Sequence, residues 1–249
     1  MRQPATYPDG PVAAEARPKR LKWFFVGAAS LLVATVAIGF SRTFYLRWIG
    51  TEGLPPSLQA LPLHIYLHGI VLTIWFALYF VQTVLIATHR TQLHRRLGVA
   101  GVVVALAVVV TSSITTQQAI AHSIVAPLAD VPIVFFMTVG NIVLFSARFG
   151  AGVYFRRSPE THKRLMYLAS VTLIGPAVSR LPGVIAFPPI LTVVDLVLLG
   201  ALIWRDFRVG GRLHRATLWG GIVLFVAIRV LAVSLGFSDV GRAVVLALA

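Results

Sequence analysis

The sequence predicts an all-α polytopic membrane protein of seven transmembrane helices, and three observations predict it. First, 57% of the 249 residues are hydrophobic and only 12% charged, with a mean hydropathy of +0.85, so the polar groups cannot coat a globule of this size and lipid must cover much of it. Second, the chain divides into seven apolar stretches, each near the length of about 20 residues that a helix needs to cross the hydrocarbon layer. Third, the basic residues fall in short clusters between those stretches, on alternating sides.

Taken in order, residues 1–22 hold four prolines and the basic run Arg17, Lys19, Arg20 and Lys22, a composition that cannot bury a core and reads as a flexible cytoplasmic tail. The first apolar stretch, Trp23 to Phe40, is long for a signal-peptide core and is expected to remain as the first span. Six more follow: Pro62 to Ala87, Leu97 to Ile120, Val131 to Phe149, Leu165 to Leu181, Pro188 to Trp204 and Ala216 to Phe237. Residues 23–237 therefore form one transmembrane domain, and 238–249 a short apolar tail. The N-terminal tail and the loops at 88–96, 156–164 and 205–215 carry sixteen basic residues, whereas the opposite side holds only Arg42, Arg47, Arg180 and Arg242. That asymmetry puts the N-terminus in the cytoplasm and the C-terminus in the periplasm of a bacterial inner membrane. It also explains the net charge of +14 without nucleic acid as a partner.

Within the cytoplasmic loops a motif recurs just before a departing helix: Leu93-His94-Arg95-Arg96-Leu97-Gly98, then His162-Lys163-Arg164-Leu165-Met166, then Leu213-His214-Arg215. Duplicated helix pairs would produce it, and so would basic anchors at an anionic leaflet. Small residues at helical spacing, Gly101 with Ala105 and Ala147 with Ala151, suit close helix contacts within the bundle or in a homo-oligomer.

Ionisable groups inside apolar spans are expensive and mark candidate sites. His64 and His68 open the second span four residues apart, on one helix face. Counting about 1.5 Å per residue, His68 lies roughly 9 Å below Pro62, Asp195 roughly 10–12 Å below Pro188 and Arg229 about 12 Å from Phe237. These three share a depth with His64, Asp130, Arg180, His122 and the polar band Thr111 to Gln118, which points to a polar pocket in the outer half of the bilayer. Asp195 and Arg229 are expected to pair and pin two helices together.

Three chemistries are open for the histidines. They could simply hydrogen-bond neighbouring helices. His64 and His68, with Asp130 or Asp195, could hold zinc or iron and leave a position free for water. Alternatively, imidazoles from different helices could hold haem b between them, His68 with His122 on the outer side or His94 with His162 on the inner side. Without cysteine there is neither a thiolate metal site nor a thiol nucleophile. No GxxxxGK[ST], GxSxG, HExxH or GxGxxG pattern stands at a strand-to-helix junction, so ATPase, serine hydrolase, zincin and dinucleotide-binding classes gain no support.

The segment from Leu61 to Pro182, with His68, the turn LHRRLG at 93–98 and HKRLMYLASVTLIGPAVSRLP at 162–182, resembles an uncharacterised group of bacterial multi-pass predicted membrane proteins. The layout of histidines near both ends of adjacent spans is also distantly similar to cytochrome b-type di-haem membrane reductases. That resemblance implies His68, His94, His122 and His162 as haem ligands, with a quinone or another hydrophobic small molecule as electron partner. A weaker likeness, to seven-span zinc hydrolases of lipids, implies instead a metal-bound water attacking a hydrophobic substrate. A transporter or assembly factor without catalysis is the third expectation.

Overall fold

The computed structural model describes residues 23–50, 52, 60–121, 131–181 and 188–248, and among these it is helical with no strand. His122 and Asp130, two of the expected ligands, lie outside the described residues. Four helices are long and apolar enough to cross a membrane: Leu63–Ala87, Thr91–Ile120, Val131–Tyr154 and Thr217–Gly236.

The first helix, α1 (Phe24–Gly39), buries Phe25, Ala29, Leu32 and Val36, a stripe at helical spacing that meets the centre of the bundle. Its end is tight: a Cβ on Gly39 would collide with the backbone of Ala177, so only glycine lets the two segments touch there. The chain then makes one π-helical turn (Ser41–Tyr45) and a 3₁₀ turn (Arg47–Ile49). Helix α2 (Leu63–Ala87) follows, and reverses directly into α3 (Thr91–Ala121). His89 takes the left-handed conformation at φ 61° in that reversal, letting the amide of Arg90 reach back to Leu85 O at 2.8 Å. Helices α4 (Val131–Tyr154) and α5 (Pro159–Thr172) form a second hairpin.

The expected fifth span, Leu165 to Leu181, is broken. Helix α5 stops at Thr172 after 14 residues, and a separate turn, α6 (Gly175–Val178), carries the chain on. Pro176 has no amide hydrogen to give Thr172 O and its ring crowds that carbonyl, which ends the regular ladder although the hydropathy runs on unbroken. Helix α7 (Pro188–Gly210) then leads to a π-helical segment, Thr217–Val223, continuous with α8 (Leu224–Gly236). The last residues, read from sequence as a tail, form a further helix, α9 (Asp239–Leu248), with Gly241 and Val245 buried.

The central layer is aromatic and aliphatic. Trp75 of α2 stands edge-on to Phe145 and Phe149 of α4, with ring centres 5.1 and 5.6 Å apart. Tyr167 of α5 is fully buried and donates to Leu198 O of α7 at 2.8 Å. Outward faces of α2, α3, α7 and α8 are studded with exposed Ile, Leu, Val and Trp, a lipid-facing surface.

Charge is concentrated on one end of α5. Burial alone would push the Glu160 carboxyl up, but hydrogen bonds from Lys163 (2.5 Å) and Arg164 (2.6 Å), reinforced by their charges, outweigh it and pull it down to about 2 from an ordinary 4.5. A depressed carboxylate stabilises the fold above the unfolded value and loses that contribution as pH falls from about 4.5 towards 2. Thermal melts in detergent across that window are expected to show wild type losing its advantage over Glu160→Gln on acidification; parallel curves would contradict it.

Candidate functional site

Of the expected site residues, His64, His68, His94, His162, Asp195 and Arg229 fall among the described residues, His64 in the first turn of α2. His68 of α2 sits against Thr111 of α3, Nδ1 to Oγ1 3.1 Å. Because the Thr111 hydroxyl hydrogen is directed at Ala107 O (2.8 Å), its oxygen accepts from His68 Nδ1–H, and Nε2 is left as the imidazole's basic nitrogen. Arg229 of α8 lies 2.9 Å from the Asp195 carboxylate of α7. Its second nitrogen approaches Met137 Sδ at 3.7 Å, its head stacks 5.0 Å over the Phe225 ring, and its Nε is buried without a partner. No hydrogen bond or ion pair among the described residues links His64 or His68 to Asp195 or Arg229. Nor do three or more His, Asp or Glu side chains gather into a metal-binding group among the described residues.

For the Asp195–Arg229 pair the outcome expected of a double-mutant cycle is clear. Asp195→Asn and Arg229→Gln should each destabilise the protein, and the double variant should recover part of the sum, because each single change strands a half-buried partner. Strict additivity in an unfolding titration would show that the 2.9 Å contact carries no coupling.

The inner end is different. His94, in the first turn of α3, and His162, in the first turn of α5, come together with ring centres 6.1 Å apart and planes at 85°. His162 Nδ1 is 2.8 Å from Gly152 O, so it carries the hydrogen and Nε2 carries the lone pair. This is how a protein commonly orients an imidazole that is to ligate a metal. His94 Nδ1 is buried with no hydrogen-bond partner among the described residues. Its main chain is tied to α2, where Gln82 Nε2 donates to His94 O at 3.3 Å.

A row of orphaned atoms runs from this pair into the bundle. Trp75, Tyr79 and Gln82 lie on one face of α2 at intervals of four and three residues, and Trp75 Nε1, the Tyr79 hydroxyl and Gln82 Oε1 are all buried without partners. Buried polar groups ordinarily find partners, so four unsatisfied atoms along one seam mark a place built for something polar. The sequence carries the signal: polar-tipped side chains spaced along one face of an otherwise apolar helix.

Two further charged sites escape a reading based on depth. Arg148 is 3% exposed inside α4, and no carboxylate among the described residues forms an ion pair with it. Instead it donates to carbonyls of the π-helical segment, Nε to Gly220 O at 2.8 Å and NH2 to Gly221 O at 3.4 Å, and NH1 reaches Thr172 Oγ1 at 2.6 Å. The widened turn releases carbonyls from the helical ladder, and a guanidinium from another helix takes them up. Asp206 is 1% exposed; one oxygen is held by Arg164 at 2.7 and 2.9 Å, the other by Thr217 Oγ1 at 2.5 Å and the His214 amide at 3.1 Å. Arg148 is visible as a charge within an apolar stretch, whereas the partner of Asp206 lies 42 positions away and leaves no local trace.

No family model, curated protein or solved structure matches this chain.

Proposed function

We propose that this chain is a seven-span inner-membrane redox protein of the haem b type, with a cytoplasmic N-terminus and a periplasmic C-terminus, that passes electrons between a lipid-soluble carrier such as a quinone and an acceptor. His94 and His162 would hold the haem iron, at the end expected to be the inner one. The observation that carries the reading is the spacing of these two rings. The ring centres of His94 and His162, brought from two different helices, stand 6.1 Å apart, close enough for both imidazoles to serve one group. The donor chemistry agrees: one ring is already oriented through Gly152 O, and the other keeps a buried nitrogen unpaired.

When bound, haem supplies one-electron chemistry; the chain's own residues set the surroundings. Trp75, Phe145 and Phe149 keep water from the bundle beside the pair. Tyr79 and Trp75 offer hydrogen-bond donors, and Gln82 an acceptor, along the same seam. Basic neighbours Arg95, Arg96 and Lys163 favour negatively charged groups at this end.

The reading is tested by the optical spectrum of protein purified from haem-sufficient cells. A Soret band that shifts on reduction and approaches one haem per chain is expected. A colourless preparation with stoichiometric zinc, whose metal is lost in His68→Ala, moves the assignment to a zinc or iron enzyme built around His64 and His68. That second reading draws on the basic Nε2 that the Thr111 contact leaves on His68.

A further inference from the structure

At the other end of the bundle from His94 and His162, α1, the Ser41–Tyr45 turn, the first turns of α2 and the break between α5 and α6 enclose an open groove. Its walls are apolar and aromatic, with Val36, Phe40, Phe44, Leu72, Phe76 and Leu173 among them. Its polar features sit together near the turn. Thr43 Oγ1 is buried without a partner, the Tyr45 and Thr73 hydroxyls are 2.8 Å apart, and Arg180, itself exposed, stacks 5.0 Å over Phe40 with NH1 on Pro176 O. Arg180 has no carboxylate within ion-pair distance among the described residues.

The charge distribution is informative here. Of the four arginines that the sequence puts on the sparsely charged side, Arg180 lines this groove, while Arg42 donates to Glu52 O and Arg47 to the Tyr66 hydroxyl. Topology alone would empty this side of cations, so a guanidinium at the mouth of an apolar slot calls for a negative group. Trp48 and Ile49 next to the turn are 82% and 66% exposed, as residues seated among lipid headgroups are.

We propose that this groove is a binding site for one anionic phospholipid, its phosphate held at Arg180 and Thr43 and an acyl chain lying along Phe40, Phe44, Leu72 and Phe76. Guanidinium suits phosphate because it presents paired donors in the geometry of two phosphate oxygens. The site stands apart from the haem reading; only the leaflet it draws from follows the topology proposed above.

The experiment is native mass spectrometry of the full chain released from nanodiscs containing equal phosphatidylglycerol and phosphatidylcholine. Wild type should retain close to one phosphatidylglycerol. Arg180→Gln should lower that occupancy about tenfold, the worth of one charge-assisted hydrogen bond. Leu72→Trp, which fills the groove and leaves the arginines alone, should lower it as well, and Arg242→Gln on α9 should not. Equal retention in Arg180→Gln and Arg242→Gln, or equal retention of both lipids by wild type, would overturn the assignment. So would inorganic phosphate raising the melting temperature as much as phosphatidylglycerol does, since the site would then read a free anion. The readout needs no bound haem, so a colourless preparation leaves this test intact.

Discussion

Replacing His162 by alanine is expected to abolish the Soret band of the purified protein, and His94→Ala to do the same, whereas His68→Ala leaves it in place. On the haem reading both rings, with centres 6.1 Å apart, would hold the group, whereas His68 meets Thr111 instead. Gln82→Leu is the informative companion. It frees His94 O from its side-chain donor and removes an orphaned acceptor beside the pair, so the band should persist with a shifted reduction potential. A band that survives His162→Ala but is lost in His68→Ala would move the ligands to the outer half. Loss in all variants together with lowered thermal stability would point to misfolding, and far-ultraviolet circular dichroism separates that case.

The second large effect is expected at Asp206. Arg164 spends two nitrogens on one of its oxygens, and that guanidinium is almost completely shielded from water. Asp206→Ala leaves this cation, the Thr217 hydroxyl and the His214 amide without their acceptor. Stranding one member of a buried pair typically costs about 3–5 kcal/mol, and about 3 is expected because Glu160 still holds the other side of Arg164. The double variant Arg164→Met, Asp206→Leu should regain the part of the loss that comes from the stranded cation, while Thr217 and His214 stay without their acceptor. A loss below about 1 kcal/mol in an SDS unfolding titration would place the pair with weak surface bridges instead.

Much of the architecture is legible in the chain. Hydropathy finds the long helices α2, α3, α4 and α8, and depth arithmetic puts Asp195 and Arg229 on one level, where they lie 2.9 Å apart. His94 and His162 stand out as paired positions in a repeated motif, each opening a helix. Three features resist such a reading for different reasons. The break after Thr172 is hidden because hydropathy is blind to the missing amide of Pro176. Arg148 is plain in the sequence, but its partners are main-chain carbonyls, and which carbonyls a helix releases depends on a neighbour's register. That His68 bonds Thr111 while Asp195 bonds Arg229 is hidden as well, because equal depth says nothing of which side chains meet.

The widened turn at Thr217–Val223 also constrains the order of assembly. Chains enter the bilayer from the N-terminal end, so the hairpin bearing Arg148 is already in the membrane when Gly220 and Gly221 leave the ribosome. A last helix with idle carbonyls cannot rest alone in hydrocarbon. The expected order is therefore that this segment settles into its widened winding only against the guanidinium already in place, the earlier hairpin serving as its template.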